Sequence, residues 1–176
     1  MKQKRSRASV RKKGKKSSPK VLPGRADFAL SLNRILVPID FSSYSKNALQ
    51  YAVPLARKFQ AELVLVYVVE PTVYPADFSF GQVGFPSVEE ELRQRGSEEL
   101  AKLIEEQIPR PISARKVIRT GKPYLEILEA AKVEGAEMIV IATHGHSGVE
   151  HLLFGSAAEK VIKKAKCPVV VIPGRT

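Results

Sequence analysis

The residues best suited to chemistry lie in one run, Ile141-Ala-Thr-His-Gly-His-Ser-Gly-Val-Glu-His-Leu-Leu-Phe-Gly-Ser156, which leaves an apolar segment and ends where helical periodicity begins. Gly145 and Gly148 would let a backbone approach a ligand closely. Gly155 and Ser156 would set amide groups and a hydroxyl at a helix amino terminus, where unpaired N–H groups and the helix dipole favour a phosphate. A second group of interest ends the first apolar segment, Val37-Pro38-Ile39-Asp40. The Asp40 carboxylate could accept hydrogen bonds from ribose hydroxyls, or, with Ser42 and Ser43, cap the helix that follows.

Other chemistries fit the residues poorly. Gly121-Lys122-Pro123 lacks the preceding glycine and the following Ser or Thr of a phosphate-binding P-loop. Gly145-His-Ser-Gly-Val149 has valine where a hydrolase nucleophile elbow needs its last glycine, so Ser147 is not expected to be a nucleophile. Phe41-Ser-Ser-Tyr44 stands where nucleotidyl transferases of similar architecture carry an H-x-G-H signature. His144, His146 and His151 have no cysteine near them in sequence, and phosphate hydrogen bonding or surface exposure accounts for them without a metal. Cys167, alone in the chain, reads as a small apolar residue and permits no internal disulfide, which favours a reducing, cytoplasmic setting.

The elements that would hold these groups alternate. Five short apolar runs read as strands: Arg34 to Ile39, Ala61 to Val68, Ser113 to Arg119, Ala136 to Ala142 and Pro168 to Ile172. ILVPI, LVLVYVV and MIVIA are continuous, as suits strands covered on both faces. Helical segments separate them, long enough to be crossovers in a parallel sheet. Leu49, Ala52, Val53 and Ala56 make one stripe of the first helix, in which Pro54 predicts a bend. Ser87 and Glu90 suggest a capping box opening a helix to about Gln107. Pro123 opens another, to about Val133, and the last runs from about Ser156 to Lys164. The long connection from Pro71 to Pro86, bearing Tyr74, Phe78, Phe80 and Phe85, is either a lid over the carboxyl edge or a variable surface loop.

The net charge of +11 is unevenly placed: eleven of the 29 lysines and arginines, and one of the 18 acids, fall in residues 1–30. Met1 to about Pro23 has almost no large apolar residue and reads as a disordered basic tail ahead of a nearly neutral domain, residues 31–176. No run approaches the length of apolar chain needed to span a bilayer, and no signal-peptide core opens the sequence.

Several of these pieces resemble the universal stress protein family. Its members carry a first strand ending V-P-x-D, a helix of the type S-x-x-A-L-x-x-A, a late G-x2-G-x9-G-S/T motif, and a C-P-V strand. Here stand Val37-Pro38-Ile39-Asp40, Ser45-Lys-Asn-Ala48-Leu49-Gln-Tyr-Ala52, Gly145 followed by nine residues and then Gly155-Ser156, Ala158-Glu159-Lys160-Val161-Ile162, and Cys167-Pro168-Val169. The similarity covers about residues 33 to 173.

The resemblance implies a single Rossmann-like α/β domain with a five-stranded parallel sheet and helices on both faces. It implies ATP binding, with adenine near Val68 and Ile141, ribose contacts from Asp40 beside Pro38, and phosphate contacts from Gly145, Gly155 and Ser156; magnesium would arrive with the nucleotide. Ala142 stands where the family motif has its first glycine, so a methyl group is expected beside the ribose or phosphates. A homodimer through the last strand is also implied. The expected role is stress adaptation with at most slow ATP hydrolysis; the alternative is an adaptor whose basic tail binds nucleic acid or an acidic partner while the domain only dimerises.

Overall fold

A computed structural model describes residues 31–71, 86–144 and 155–174. The basic tail, the connection after Pro71 and Gly145 lie outside the described residues. The strands are β1 (Arg34–Pro38), β2 (Glu62–Val69), β3 (Ala114–Thr120), β4 (Met138–Ala142) and β5 (Val169–Ile172). The helices are α1 (Ser43–Phe59), α2 (Pro86–Gln107), α3 (Pro123–Val133) and α4 (Ser156–Lys164). All the strands pair in parallel, in the order β3-β2-β1-β4-β5.

The continuous apolar runs are divided by the two-residue period of the strand, so each strand serves two cores. Ile35 and Val37 of β1, Leu63 and Leu65 of β2, and Met138 and Val140 of β4 pack with Ala48, Leu49, Ala52 and Ala56 of α1 and Leu100 and Leu103 of α2. Leu36, Val64, Val66, Ile139 and Ile141 face the other way, against Ile127, Ala130 and Ala131 of α3 and Ala158 and Val161 of α4. Helices therefore cover both faces, as the sequence suggests.

Several boundaries differ from the sequence reading for identifiable reasons. β4 begins at Met138 rather than Ala136, because Ala136 N–H donates to the Ala131 carbonyl and so closes α3. Glu137 is then fixed by Asn33, whose backbone N–H and side-chain amide both donate to its carboxylate. α2 starts at Pro86, so Ser87 lies within the helix rather than ahead of it. Pro54 lies inside α1 without ending it: Pro54 and Gln50 are both exposed, so the carbonyl that loses a donor belongs to a solvent-facing residue.

The two sheet edges differ chemically. β3 carries Arg115, Lys116 and Arg119, tied respectively to Glu62 and Glu134, to the Ser97 carbonyl, and to Glu126. β5 is Val-Val-Val-Ile, with its three valines half-buried and Ile172 buried. Among the described residues, no helix is long and apolar enough to cross a membrane.

Candidate functional site

β1 and β4 are neighbours, and their connections leave in opposite directions, to β2 on one side and β5 on the other. A crevice opens at such a reversal, beyond the carboxyl ends of the strands. Here it is a cavity of about 780 Å³ whose lining includes Pro38 and Asp40 after β1, Val68 of β2, Ile141 and Ala142 of β4, and Gly155 and Ser156 at the start of α4. The site residues expected from sequence thus converge on one cleft, apart from Gly145, which is outside the described residues.

Asp40 stands on the cleft wall, and its carboxylate is held by the residue that caps α1 rather than capping the helix itself. Its Oδ1 accepts from Ser42 N–H at 3.1 Å and from the Ser42 hydroxyl at 2.6 Å. Ser42, not Asp40 or Ser43, is the N-cap of α1, its Oγ accepting from Ser45 N–H at 3.1 Å. Asp40 N–H in turn donates to Ser45 Oγ at 3.3 Å. The serines orient the carboxylate while the helix is being capped.

Gly155 plays a different part from the one expected. Its amide donates to the Thr143 carbonyl at 2.7 Å, so it is not among the donors open to a ligand. An added Cβ would stand 3.3 Å from that carbonyl oxygen, and this close approach explains the glycine. The amides that precede intrahelical bonding in α4 are those of Ser156, Ala157 and Ala158, all in the cleft wall, and Gly155 supplies no side-chain cap. Thr143, which sequence reasoning passed over, ties the region together: its amide donates to the Ile172 carbonyl at 2.9 Å, and its Oγ1 accepts from Gly174 N–H at 3.2 Å.

Ala142 is 7% exposed and belongs to the core cluster beneath α1 as well as to the cleft wall. Its methyl group is therefore packed as a core group as well as lining the cleft.

Two further sets of cleft residues were not anticipated. On the α1 and α2 side, Phe41 adopts a left-handed backbone, φ 64°, and its ring lies 4.9 Å from that of Tyr67. The Tyr67 ring rests on Gly96 of α2, where a Cβ would come within 2.4 Å of ring atom Cδ1. Burial, and then the charges of Glu99, Asp40 and Glu70, push the Tyr67 phenol above its usual pKa. On the α3 and α4 side stand Lys122, Tyr124 and Lys160. The Lys160 ammonium sits 4.8 Å from the centre of the Tyr124 ring. The one tyrosine in the aliphatic run of β2 and the one glycine within α2 were the available signals; their meeting was not.

Cys167 is half-buried, and burial pushes its thiol pKa up, away from a reactive thiolate. No group of three or more His, Cys, Asp or Glu side chains able to hold a metal occurs among the described residues. His146 and His151 lie outside them.

Comparison with known proteins agrees with this architecture. The Universal stress protein family model matches residues 31–173. Universal stress protein MJ0531 of Methanocaldococcus jannaschii is 34% identical over 142 residues, covering 79% of this chain and 81% of its own length. The solved structure of hypothetical protein MJ0577 superposes with a TM-score of 0.68 at 26% identity, covering 84% of this chain and 99% of the other. The universal stress protein from Archaeoglobus fulgidus, solved in complex with dAMP, shares the fold at a TM-score of 0.56 and 21% identity, covering 81% of this chain and 99% of the other. With the family match spanning the sheet and the cleft, the chain belongs to the universal stress protein family.

Proposed function

We propose that the cleft binds an adenine nucleotide, with ATP as the resident ligand, and that occupancy regulates the protein's choice of partner in the cytoplasm. The observation that carries this reading is the convergence of an apolar wall, a carboxylate and an uncapped helix amino terminus on one switch-point crevice. Val68 and Ile141 offer the flat apolar contact a purine needs, Pro38 and Asp40 face the ribose, and Ser156 with the next two amides faces the phosphates. Gly145 and magnesium would complete the phosphate end. The dAMP complex of the Archaeoglobus fulgidus relative supports an adenine ligand.

Titration calorimetry with ATP tests the reading. Asp40→Ala should weaken binding by about 1–3 kcal/mol through lost ribose hydrogen bonds. Ala142→Gly should leave affinity unchanged or raise it. Absence of any heat or displacement signal at millimolar ATP in the wild type would refute nucleotide binding, and identification of nucleotide released from purified protein would support it.

β5 supports a homodimer, since its aliphatic edge lacks the charges that β3 carries. A second reading rests on the basic residues of segment 1–30, which would bind polyanions without sequence preference. Such binding should fall steeply with added salt and vanish when residues 1–20 are removed.

A further inference from the structure

The lysines of α3 and α4 are not equivalent. Two are neutralised within their own helices, Lys132 by Glu129 at 3.4 Å and Lys163 by Glu159 at 2.5 Å, while Lys164, at the end of α4, lies 5.7 Å from the centre of the Tyr124 ring. The two that line the cleft, Lys122 and Lys160, have no carboxylate within ion-pair distance among the described residues. Lys160 instead packs its ammonium over Tyr124, which also lines the cleft. An aromatic face positions a cation without cancelling its charge, so the positive potential remains available to a ligand.

The positions suit an extended anion. Lys160 follows Ser156 by four residues, so the two lie on one face of α4, and helical side chains lean toward the amino terminus. The ammonium is thereby carried toward the uncapped first turn. Lys122 immediately precedes α3, as its N-cap, with no cap bond from its side chain. The cleft is thus bordered by a cation from each of two adjacent helices.

We propose that Lys160 and Lys122 are specificity-determining residues that make the cleft prefer nucleoside di- and triphosphates to monophosphates and nucleosides, and that Tyr124 is the positioning residue for Lys160. This rests on the nucleotide reading above. Each added phosphate brings negative charge to the two lysines, whereas base and ribose contacts are the same for every member of the series. Discrimination therefore grows with phosphate number and shrinks with salt.

The test is a calorimetric comparison of adenosine, AMP, ADP and ATP binding to the full chain, at low and high salt. For Lys160→Met, ATP affinity should fall about tenfold, AMP affinity about threefold or less, and adenosine affinity not at all, with a weaker salt dependence for ATP. Lys160→Arg should preserve the preference, because it keeps both charge and ring contact. Lys122→Met should reproduce part of the loss. Tyr124→Phe should behave as wild type, while Tyr124→Leu should lose discrimination without losing adenosine. Unchanged ATP affinity in Lys160→Met, or equal losses for adenosine and ATP, would overturn this proposal and leave nucleotide binding standing. A wild type that binds none of the four would overturn the nucleotide reading and this proposal with it. Lys160 is exposed, so an unchanged melting temperature is expected of its variants and separates charge effects from folding.

Discussion

Replacing Gly96 by alanine sets two known effects against each other, and the structure decides between them. In a helix interior the change is worth about 0.8–1.0 kcal/mol in favour of alanine. The new methyl would, however, lie 2.4 Å from Cδ1 and 2.5 Å from Cε1 of Tyr67. Carbon atoms rest about 3.5–4.0 Å apart, so the ring would have to retreat by about 1 Å or α2 would lift from the sheet. Overpacking of this kind costs about 1–3 kcal/mol, leaving a net loss of about 1 kcal/mol. In a domain of this size that lowers the melting temperature by about 3 °C. The diagnostic is the sign in a second background. Tyr67→Val places a good strand former there that is too short to reach Gly96, so in that background Gly96→Ala should stabilise by about 1 kcal/mol. The resulting coupling, about 2 kcal/mol, is measurable by urea denaturation of the four proteins. If Gly96→Ala stabilises both backgrounds equally, the ring is not seated on the glycine and the reasoning fails.

Three other outcomes are expected. Ser42→Ala should cost about 1 kcal/mol in urea unfolding, because Ser45 N–H loses its acceptor at the start of α1. The Glu137 carboxyl is held below its usual 4.5 by the Asn33 backbone and side-chain donors. A lowered folded-state value means that its contribution is present above the unfolded-state value and lost as pH falls through the lowered one; carboxylate NMR titration should find it ionised below 4.5, and Glu137→Gln should flatten the acid limb of stability. Lysine at Val169 and Val171 should yield a monomer by light scattering, and a wild type already monomeric at high concentration would refute pairing through β5.

The sheet was legible because β1, β2, β4 and β5 are built on short continuous apolar runs, and because a helix of sufficient length separates each strand from the next. ILVPI and MIVIA could be little else than buried parallel strands, and the turn residues around Gly121 and Gly135 punctuate them. Asp40 and Ser156 could be placed on the cleft because topology brings the carboxyl ends of parallel strands and the starts of their helices to one edge. What escaped were the contacts that depend on which helix faces which strand. Nothing local to Phe41 announces that its ring meets Tyr67, or that Gly96, distant in sequence, supplies the space. The Gly155 amide was misassigned for a similar reason: a helix start exposes donors in general, but only the geometry of β4 reveals that the Thr143 carbonyl takes this one. Lys160 stands out in the sequence only as one member of the run Ala158-Glu159-Lys160-Val161-Ile162, and its place against Tyr124 is a consequence of α3 and α4 packing together.

The chemical difference between β3 and β5 has a consequence for assembly. A sheet with two receptive edges can add copies at both and grow into a fibre, because each addition regenerates the edge it consumed. A sheet with one receptive edge cannot. Two copies joined β5 to β5 would satisfy each other's valine strands about a two-fold axis, and both outward edges would then be the Arg- and Lys-bearing β3. In the dimer proposed above, growth would stop at two by symmetry, and the charges that cap the far edge, rather than any feature of the joined surface, would set that limit.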